Sequence, residues 1–399
     1  MRPVYLDNNA TTRVDPEAVA AMLPYLTEHF GNPSSLHAFG APSRQAVKTA
    51  REHAAALVGA ALADEILFTS GGTESDNTAI RAALAANPDR NEVVVSAVEH
   101  PAVLALIREL EAEGRIKAHV VPVLTCGCLD RELFRAALSS RVALVTVMWA
   151  NNETGVIFPV EALAEEAKAV GAVFHTDAVQ AAGRAPIDLK RSAIDLLSIS
   201  SHKLHGPKGV GALYVRRGLK FAPMIYGGRQ ERARRGGTEN VPAIVGFGKA
   251  AEIAVPRLHG DAARMRALRD RLESDFIARI RDIAVMGARA ERLPNTSAIA
   301  CAGVEAEAVA TMLAREGIAV STGAACSAGS HAPSHVLKAM NAPIATELGA
   351  VRFSLSRETD DDDIDRALTA TREIVGRLRQ SGPPASNSDA PRRREAAYA

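Results

Sequence analysis

The chain has 399 residues, of which 47% are hydrophobic, and this length and composition allow two or three domains with a large buried core. The 47 Lys and Arg residues nearly balance the 46 Asp and Glu residues, so the net charge of +1 gives no indication of nucleic-acid or membrane binding. No apolar run of about 18 residues predicts a transmembrane helix. The first residues lack the apolar stretch of a signal peptide, and four cysteines are too few for a disulfide framework, so the sequence favours the cytoplasm.

Short runs that are apolar on both faces alternate with alanine-rich helical segments between about residues 45 and 250. The β-forming runs are 65–69, 92–96, 118–123, 142–149, 172–175 and 195–199, and the clearest helices are 73–86 and 160–169. This alternation is typical of βα units built around a mainly parallel sheet. A further strand at 209–215 follows the previous one too closely for a crossover helix, so we expect it to be antiparallel.

A long charged helix at about Val255 to Ile280 is predicted to begin a second domain. This domain continues through apolar segments near residues 297 and 351 to a final helix at about Asp361–Arg379. The predicted division is a large domain at 16–255 and a small domain made from 1–15 and 256–380. Residues 381–399 are rich in Pro, Ser and Arg, which predicts a disordered tail.

Two charged residues lie at the ends of predicted neighbouring strands. Asp177 closes the apolar run that begins at Ala172, and Lys203 follows the run 195–199 in a segment dense in Ser, His and Gly. Each has an ordinary alternative, a capping aspartate or an exposed lysine. Together they match a pyridoxal phosphate (PLP) site, in which the lysine forms a Schiff base and the carboxylate keeps the pyridine nitrogen protonated.

A phosphate site is predicted beside this pair. The segment 69–77 (TSGGTESDN) follows a strand and opens a helix, where free N–H groups and the helix dipole favour an anion. It matches neither the Walker nor the GxGxxG pattern, and a plain capped turn is the alternative. We expect Gly72, Thr73, Ser200 and His202 to contact the phosphate.

Four further polar residues complete the predicted site. His100 precedes a helix, as a cap or as a ring stacked on the pyridine that carries protons. Gln180 lies one helical turn beyond Asp177, where its amide would reach the phenolic oxygen of the cofactor. Asn152 follows a strand at the same predicted edge. Arg352 lies in an apolar strand and needs an anion, and a substrate carboxylate and an internal acid are equally good partners.

The cysteines divide into three kinds of setting. Cys326 lies among small residues at 321–330, which indicates a mobile nucleophile or a plain surface thiol. Cys301 follows apolar residues and is expected to be buried. Cys126 and Cys128 form a C-x-C pair in a polar turn, and a metal role is disfavoured because no second pair has zinc spacing.

These segments, taken in order, resemble the PLP-dependent cysteine desulfurases of the NifS/IscS type, in the class-V aminotransferase family, from residue 5 to about 357. The motifs that carry the resemblance are YLDNNATT at 5–12, GNPSSLH at 31–37, GTES at 72–75, EHP at 99–101, NNETG at 151–155, HTDAVQ at 175–180, SHK at 201–203, RGGTEN at 235–240 and the segment around Cys326. Segments 148–155 and 352–357 are closer to the nitrogen-fixation branch, NifS. Ser201, Gly72 and Ala324 replace the more usual Gly, Ala and Ser.

The resemblance implies an α/β protein of PLP fold type I, with a mainly parallel seven-stranded sheet in the large domain and a smaller α+β domain. It also implies a homodimer in which Thr238 reaches the phosphate of the neighbouring subunit's cofactor. Asn152 and Arg352 would bind the substrate carboxylate, and Asn152 would also lie near the cofactor. His100 would stack on the cofactor ring and carry protons.

The implied reaction converts L-cysteine to L-alanine. Lys203 would remove the α-proton, and Cys326 would take the sulfur as a persulfide. The persulfide would pass to an iron–sulfur scaffold protein that serves nitrogenase. Cys326 would also serve as a transient iron–sulfur ligand shared with that scaffold. The alternatives are another fold-type I enzyme, such as a selenocysteine lyase or a small-substrate aminotransferase, and a non-catalytic protein of the same fold, against which Lys203 argues.

Overall fold

The structure is a computed structural model, and it describes residues 2–322, 334–342 and 349–381. Its strands are β1 (Val4–Tyr5), β2 (Ile66–Thr69), β3 (Glu92–Ser96), β4 (Lys117–Val121), β5 (Val142–Thr146), β6 (Val173–Asp177), β7 (Leu196–Ser200), β8 (Gly211–Val215), β9 (Ile283–Val285), β10 (Thr296–Cys301), β11 (Ile318–Ala319), β12 (Ser321–Thr322) and β13 (Val351–Ser354). Its helices are α1 (Pro16–Met22), α2 (Pro24–Thr27), α3 (Gly40–Leu57), α4 (Gly72–Ala86), α5 (Pro101–Ala112), α6 (Arg131–Ala137), α7 (Val160–Ala169), α8 (Gln230–Ala233), α9 (Val241–Arg279), α10 (Ala306–Arg315), α11 (His335–Ala339) and α12 (Asp361–Ser381).

The larger sheet has seven strands in the order β2-β8-β7-β6-β5-β3-β4, which confirms the predicted sheet. β8 is antiparallel to both of its neighbours, as expected, and the other six strands run in one direction. Helices cover both faces, so alternate residues of one strand enter different cores. Val94 packs in one core, and Val93 and Val95 pack in the other. The carboxyl ends of the six strands therefore share one edge.

The long helix α9 begins earlier than predicted. It starts at Val241 rather than near Val255 and continues through Pro256 to Arg279. Its first half packs on α3 through small residues, and a Cβ added to Gly248 would lie 2.5 Å from the Ala50 Cα atom. Close helix packing needs such small residues, and they give a weak amphipathic pattern in the sequence.

A second core lies around an antiparallel sheet of order β12-β13-β10-β9 and a parallel pair β1-β11. Leu6 from the N-terminus packs there with Phe276, Phe353 and Ile374 from the C-terminal third. The predicted final helix is confirmed as α12, which includes Ser381, the first residue of the predicted tail, and residues 382–399 lie beyond the described residues. The boundary predicted at residues 255/256 falls within α9, and the division into domains stays a prediction. Within the described ranges, every helix is too short or too polar to cross a membrane.

Candidate active site

A cavity of about 300 Å³ opens where the six strand ends meet. Its lining combines predicted residues with several that were not predicted: Asn9, Ala10, Gly72, Thr73, Asp76, His100, Met148, Ala150, Asn152, Asp177, Val179, Gln180, Ser200, His202, Lys203 and Arg352. All predicted cofactor and substrate residues line it except Thr238. Cys326 lies outside the described residues.

The lysine and the acid meet because their strands are parallel neighbours. Asp177 ends β6, and Lys203 ends a 3₁₀ turn that follows β7 directly. The Lys203 Nζ atom donates to the main-chain oxygens of Asn9 at 2.5 Å and Ala10 at 2.7 Å. Asp177 accepts a hydrogen bond from the Val179 N–H at 2.8 Å. Burial raises the pKa of Asp177, and the nearby His100 and Lys203 oppose this rise.

The cavity wall also offers a set of anion donors. Helix α4 begins at Gly72, and the residue before it has no side chain to cap the first N–H groups. A Cβ on Gly72 would lie 2.9 Å from the Val179 Cγ2 atom, so glycine leaves the helix start open. Thr73, Ser200 and His202 add side chains at the same wall. Burial and the charge of the adjacent lysine lower the pKa of His202 to about 4, which keeps its ring neutral.

His100 is both the cap of α5 and part of the cavity lining. Its Nδ1 atom accepts a hydrogen bond from the Ala102 N–H at 3.1 Å. This contact requires the neutral ring to carry its proton on Nε2. Burial lowers the pKa of His100, and Asp177 opposes that effect. In this tautomer Nε2 can donate a proton. For Nε2 to accept one, the neutral ring would have to carry its proton on Nδ1, which would break the contact with the Ala102 N–H.

Arg352 has the internal acid partner that was one of its two predicted alternatives. From β13 its guanidinium donates to the Asp7 carboxylate at 2.8 Å and to the Asn152 main-chain oxygen at 3.0 Å. Its buried Nε–H has no hydrogen-bond partner among the described residues. Because Arg352 also lines the cavity, the substrate carboxylate stays a candidate as a further partner.

Arg184 was not predicted, although it holds two of the predicted residues. Its guanidinium donates to the Gln180 side-chain oxygen at 2.5 Å and to the main-chain oxygens of Lys203 at 3.0 Å and Asn8 at 3.2 Å. These described contacts are all to neutral oxygens. Burial and the like charge of Arg352 lower its pKa to about 10, so the group stays cationic at neutral pH. The Gln180 amide is thereby oriented with its NH₂ group toward the Asn9 oxygen at 3.0 Å.

Two buried acids behind Asp177 also escaped prediction. Glu99 accepts hydrogen bonds on Oε1 from the Ser96 hydroxyl at 2.5 Å and the Met148 N–H at 2.8 Å, and its Oε2 has no partner among the described residues. Burial raises the pKa of Glu99 to about 8. Burial and the repulsion of Asp177 raise the pKa of Asp76 as well. Glu99 is therefore largely neutral at pH 7, whereas His100 and Lys203 favour the charged form of Asp177 against the effect of burial on its pKa.

A neutral histidine of strand β6 lies near Asp76. His175 on β6 is bonded to the Thr146 hydroxyl at 2.9 Å and to the Ser198 hydroxyl at 3.0 Å. Its Nε2 lies 3.6 Å from the Asp76 Oδ1, beyond hydrogen-bond reach. Burial lowers the pKa of His175 to about 3, so it supplies no charge to the site.

The chain on either side of residues 323–333 is attached to the cavity rim. On one side Ser321 of β12 pairs with Arg352. On the other side the Ser334 hydroxyl donates to the buried Glu153 carboxyl at 2.5 Å, and the His335 ring is bonded to the Glu99 main-chain oxygen at 2.9 Å.

Thr238 lies in a separate cavity of about 230 Å³, lined mainly by the ends of β2 and α9 and by the loop 235–240. It therefore has no place in the active-site cavity of its own chain.

Known proteins with a matching sequence or structure identify the family. A model of the family described as aminotransferase class-V matches residues 4–367. The chain belongs to the aminotransferase class-V family. A protein of Cereibacter sphaeroides named cysteine desulfurase is 56% identical over 383 residues, which cover 96% of this chain and 98% of that protein. A solved structure titled NifS-like protein has a TM-score of 0.88 and 35% identity, covering 94% of this chain and 100% of that chain. Another, titled SspA in complex with cysteine, has a TM-score of 0.78 and 32% identity, covering 90% and 100%.

These likenesses confirm the predicted fold class and family, whose members are PLP-dependent enzymes. The cavity fits that cofactor on its own chemistry. Its lining presents a lysine amine, the Asp177 carboxyl group, an oriented amide and an uncapped helix start. These are the groups that a pyridine aldehyde with a phosphate arm requires.

Proposed function

We propose that this protein is a PLP-dependent cysteine desulfurase that converts L-cysteine to L-alanine and takes the sulfur as a persulfide on Cys326. The observation that carries the proposal is the convergence of Lys203, Asp177 and Arg352 on one cavity. The 56% identity to a protein named cysteine desulfurase supports the choice of substrate within the family.

Each part of the cofactor has a proposed partner. Lys203 would hold it covalently, Asp177 would bond the pyridine nitrogen, and the Gln180 amide would face the phenolic oxygen. The start of α4 would hold the phosphate, with Thr73, Ser200, His202 and the main chain at Gly72 as hydrogen-bond donors. When bound, PLP supplies an electron sink that stabilises negative charge at the substrate α-carbon.

The side chains around it bind the substrate and move protons. Arg352 holds the substrate carboxylate with its planar fork, and Asn152 contacts both the carboxylate and the cofactor. The Lys203 Nζ atom takes the proton from the α-carbon. His100 would stack on the ring, and it holds a proton at Nε2, where it can act as a donor.

Cys326 supplies the nucleophile for sulfur transfer. Its thiolate attacks the substrate sulfur, a bond forms between the two sulfurs, and the carbon–sulfur bond breaks with its electrons remaining on carbon. A proton then completes alanine, so that cysteine and one thiol become alanine and one persulfide. The attachments at Ser321 and Ser334 support this role, because both begin at the cavity rim.

We propose that the persulfide sulfur passes in the cytoplasm to an iron–sulfur scaffold protein that serves nitrogenase, with Cys326 as a transient iron ligand during transfer. The NifS-like segments 148–155 and 352–357 support this branch. The free state of the three described cysteines supports the choice of a reducing compartment. Transfer of ³⁵S from L-[³⁵S]cysteine to purified candidate scaffolds tests the proposal. Equal transfer to a housekeeping and a nitrogen-fixation scaffold would contradict the branch.

A homodimer is the proposed assembly. Large apolar side chains near the N-terminus are exposed in the single chain, and they are Leu23, Leu26, Phe30, Leu36 and Phe39. The Phe30 and Phe39 rings stack on each other at 5.9 Å, which makes one apolar surface. Such a patch is typical of a protein–protein interface. A second copy is its proposed occupant, since Thr238 lies outside its own cavity and would reach the partner's phosphate.

The reaction is tested by the absorbance of purified protein and by its products. L-Cysteine should yield equal amounts of alanine and persulfide sulfur. Cys326→Ala should keep the cofactor absorbance and lose sulfide release, with Cys301→Ala as a matched control that keeps both. Continued cysteine-dependent sulfide release by Cys326→Ala would contradict the role of Cys326. Formation of a keto acid in place of alanine would indicate an aminotransferase.

Mixed dimers test the position of Thr238. A dimer of one Lys203→Ala chain and one Thr238→Ala chain contains one intact site only if Thr238 serves the neighbouring subunit. Refolded mixtures should then bind PLP with parental affinity in up to one site per mixed dimer. If mixing restores no tight site, Thr238 does not act across the dimer.

A further inference from the structure

Cys126 and Cys128 lie outside the active-site cavity, in the turn between β4 and α6, and the proposed function gives them no part. The Leu124 N–H donates to the Cys128 main-chain oxygen at 2.8 Å, and the Gly127 N–H donates to the Leu124 oxygen at 2.8 Å. Gly127 has a φ of 84°, a conformation that favours glycine. The main chain of this turn therefore fixes the spacing of the two cysteines.

The side chains of Val156 and Met340 also pack against this turn. A Cβ added to Gly127 would lie 3.1 Å from the Val156 Cγ2 atom and 3.4 Å from the Met340 Cε atom. Both cysteines remain partly exposed on this support. They are therefore fixed in place and open to small molecules in solution.

The two sulfur atoms interact directly and are not equivalent. The Cys128 N–H donates to the Cys126 Sγ at 3.4 Å. Burial, together with a hydrogen bond to Cys126, raises the pKa of the Cys128 thiol to about 11. The Cys126 sulfur accepts the main-chain N–H, and Cys128 is the thiol whose loss of a proton is disfavoured. Cys126 is thus arranged as the attacking thiolate and Cys128 as the neighbouring thiol that keeps its proton.

A disulfide fits this spacing without large movement of the main chain. Two residue steps span at most about 7 Å when extended, and a turn shortens that span into the range of about 4.4–6.8 Å that disulfides need. A metal role is less suitable, because the described residues contain no group of three or more His, Cys, Asp or Glu side chains arranged to hold an ion.

We propose that Cys126 and Cys128 form a redox-active dithiol that a low-molecular-weight disulfide converts to an intramolecular disulfide. The Cys126 thiolate attacks one sulfur of the small disulfide and releases one small thiolate. Cys128 gives up its proton and attacks the Cys126 sulfur of the mixed disulfide, which releases the second small thiolate. Two cysteine thiols are oxidised, and one small disulfide is reduced to two thiols.

Peptide mapping of the holoenzyme in graded glutathione buffers tests this site. After alkylation with N-ethylmaleimide and digestion with trypsin, both cysteines fall in peptide 118–131, whereas Cys301 falls in 293–315 and Cys326 in 316–338. As the buffer becomes more oxidising, peptide 118–131 should lose both alkyl groups and become lighter than the dithiol by two hydrogens. Two separate adducts at every ratio, or a link to another peptide, would overturn the proposal.

Single replacements test the order of attack. Cys126→Ser and Cys128→Ser should each abolish the closed form, whereas Cys301→Ser should leave it unchanged. Burial, the largest cause of the raised pKa of Cys128, remains in Cys126→Ser, so the thiol left in that variant should react with glutathione disulfide severalfold more slowly than the thiol left in Cys128→Ser. A raised pKa leaves less thiolate, although each remaining thiolate is more nucleophilic. Equal rates would overturn the assignment of Cys126 as the attacking residue.

Discussion

Glu99→Gln should stabilise the protein, and by more as the pH rises. Glutamine has the shape of the protonated acid, and its carbonyl oxygen can keep both hydrogen bonds that Oε1 accepts from Ser96 and Met148. In the parent, the unfolded chain loses the Glu99 proton near its ordinary pKa of 4.5, whereas the folded protein keeps it up to about 8. Glu99 therefore does not lower the free energy of unfolding below pH 4.5. That free energy falls as the pH rises from 4.5 toward 8, because the unfolded chain loses the proton that the folded protein keeps.

The size of the effect follows from the two pKa values. One pKa unit corresponds to about 1.4 kcal/mol, so the penalty removed by glutamine is about 1 kcal/mol at pH 5, about 3 kcal/mol at pH 7 and about 5 kcal/mol at pH 9. No solvent screening reduces this value, because the Glu99 side chain is fully buried. The unpartnered NH₂ group of glutamine adds a cost that does not change with pH.

Urea unfolding of both proteins from pH 5 to pH 9, at one protein concentration and saturating PLP, measures this difference. Glu65→Gln is the matched control, because Glu65 accepts from the Leu62 N–H at 3.1 Å on one oxygen and from the Arg217 N–H at 3.0 Å on the other. An amide there places N–H against N–H, so this variant should be destabilised. A difference between Glu99→Gln and the parent that is constant across the pH range would refute the reasoning.

Three further changes have expected outcomes. Arg184→Gln removes donors that orient the active-site main chain, and the dissociation constant for PLP, measured by fluorescence titration, should rise about tenfold; an unchanged value would contradict the positioning role. Arg352→Lys keeps the charge but loses the fork, so KM for L-cysteine should rise about tenfold with a smaller change in kcat, and the reverse pattern would count against carboxylate binding. Ser334→Ala removes the cap of α11 and the hydrogen bond to Glu153, and it should lower the thermal unfolding midpoint by about 2 °C. Ser334→Thr keeps a capping hydroxyl and should leave the midpoint unchanged. Equal midpoints for the two variants would be inconsistent with the cap.

The sequence was sufficient to predict the elements whose burial follows a simple pattern. β3 and α7 have the predicted bounds, because a strand covered on both faces is apolar throughout and a helix on a sheet has one apolar stripe. The first half of α9 was missed since Gly246, Gly248 and its alanines serve close packing against other helices. That function leaves no periodic pattern of large apolar residues.

The same contrast holds for the site. Asp177 and Lys203 could be predicted because each follows an apolar strand, and parallel neighbours bring strand ends together. Asp76 and Glu99 gave no such signal, since an acid within a helix or before a cap is usually exposed. Only the fold shows that both are buried, and burial is what raises the pKa of both carboxyl groups, to about 8 for Glu99.

The N-terminal segment Asp7–Ala10 connects site residues that lie far apart in the sequence, because it is hydrogen-bonded to several of them at once. Its contacts reach almost every part of the cavity: Asp7 accepts from Arg352, the Asn8 oxygen from Arg184, the Asn9 oxygen from Lys203 and Gln180, and the Ala10 oxygen from Lys203. The Asn9 amide also donates to the Asn152 main-chain oxygen at 3.1 Å. In the sequence this segment is only a family motif without an evident chemical role. In the fold its carbonyl oxygens fix the lysine amine and the glutamine amide, while its acid fixes the arginine. A shift of this one segment would therefore displace the proposed cofactor and substrate contacts together, so these residues form one unit rather than independent parts.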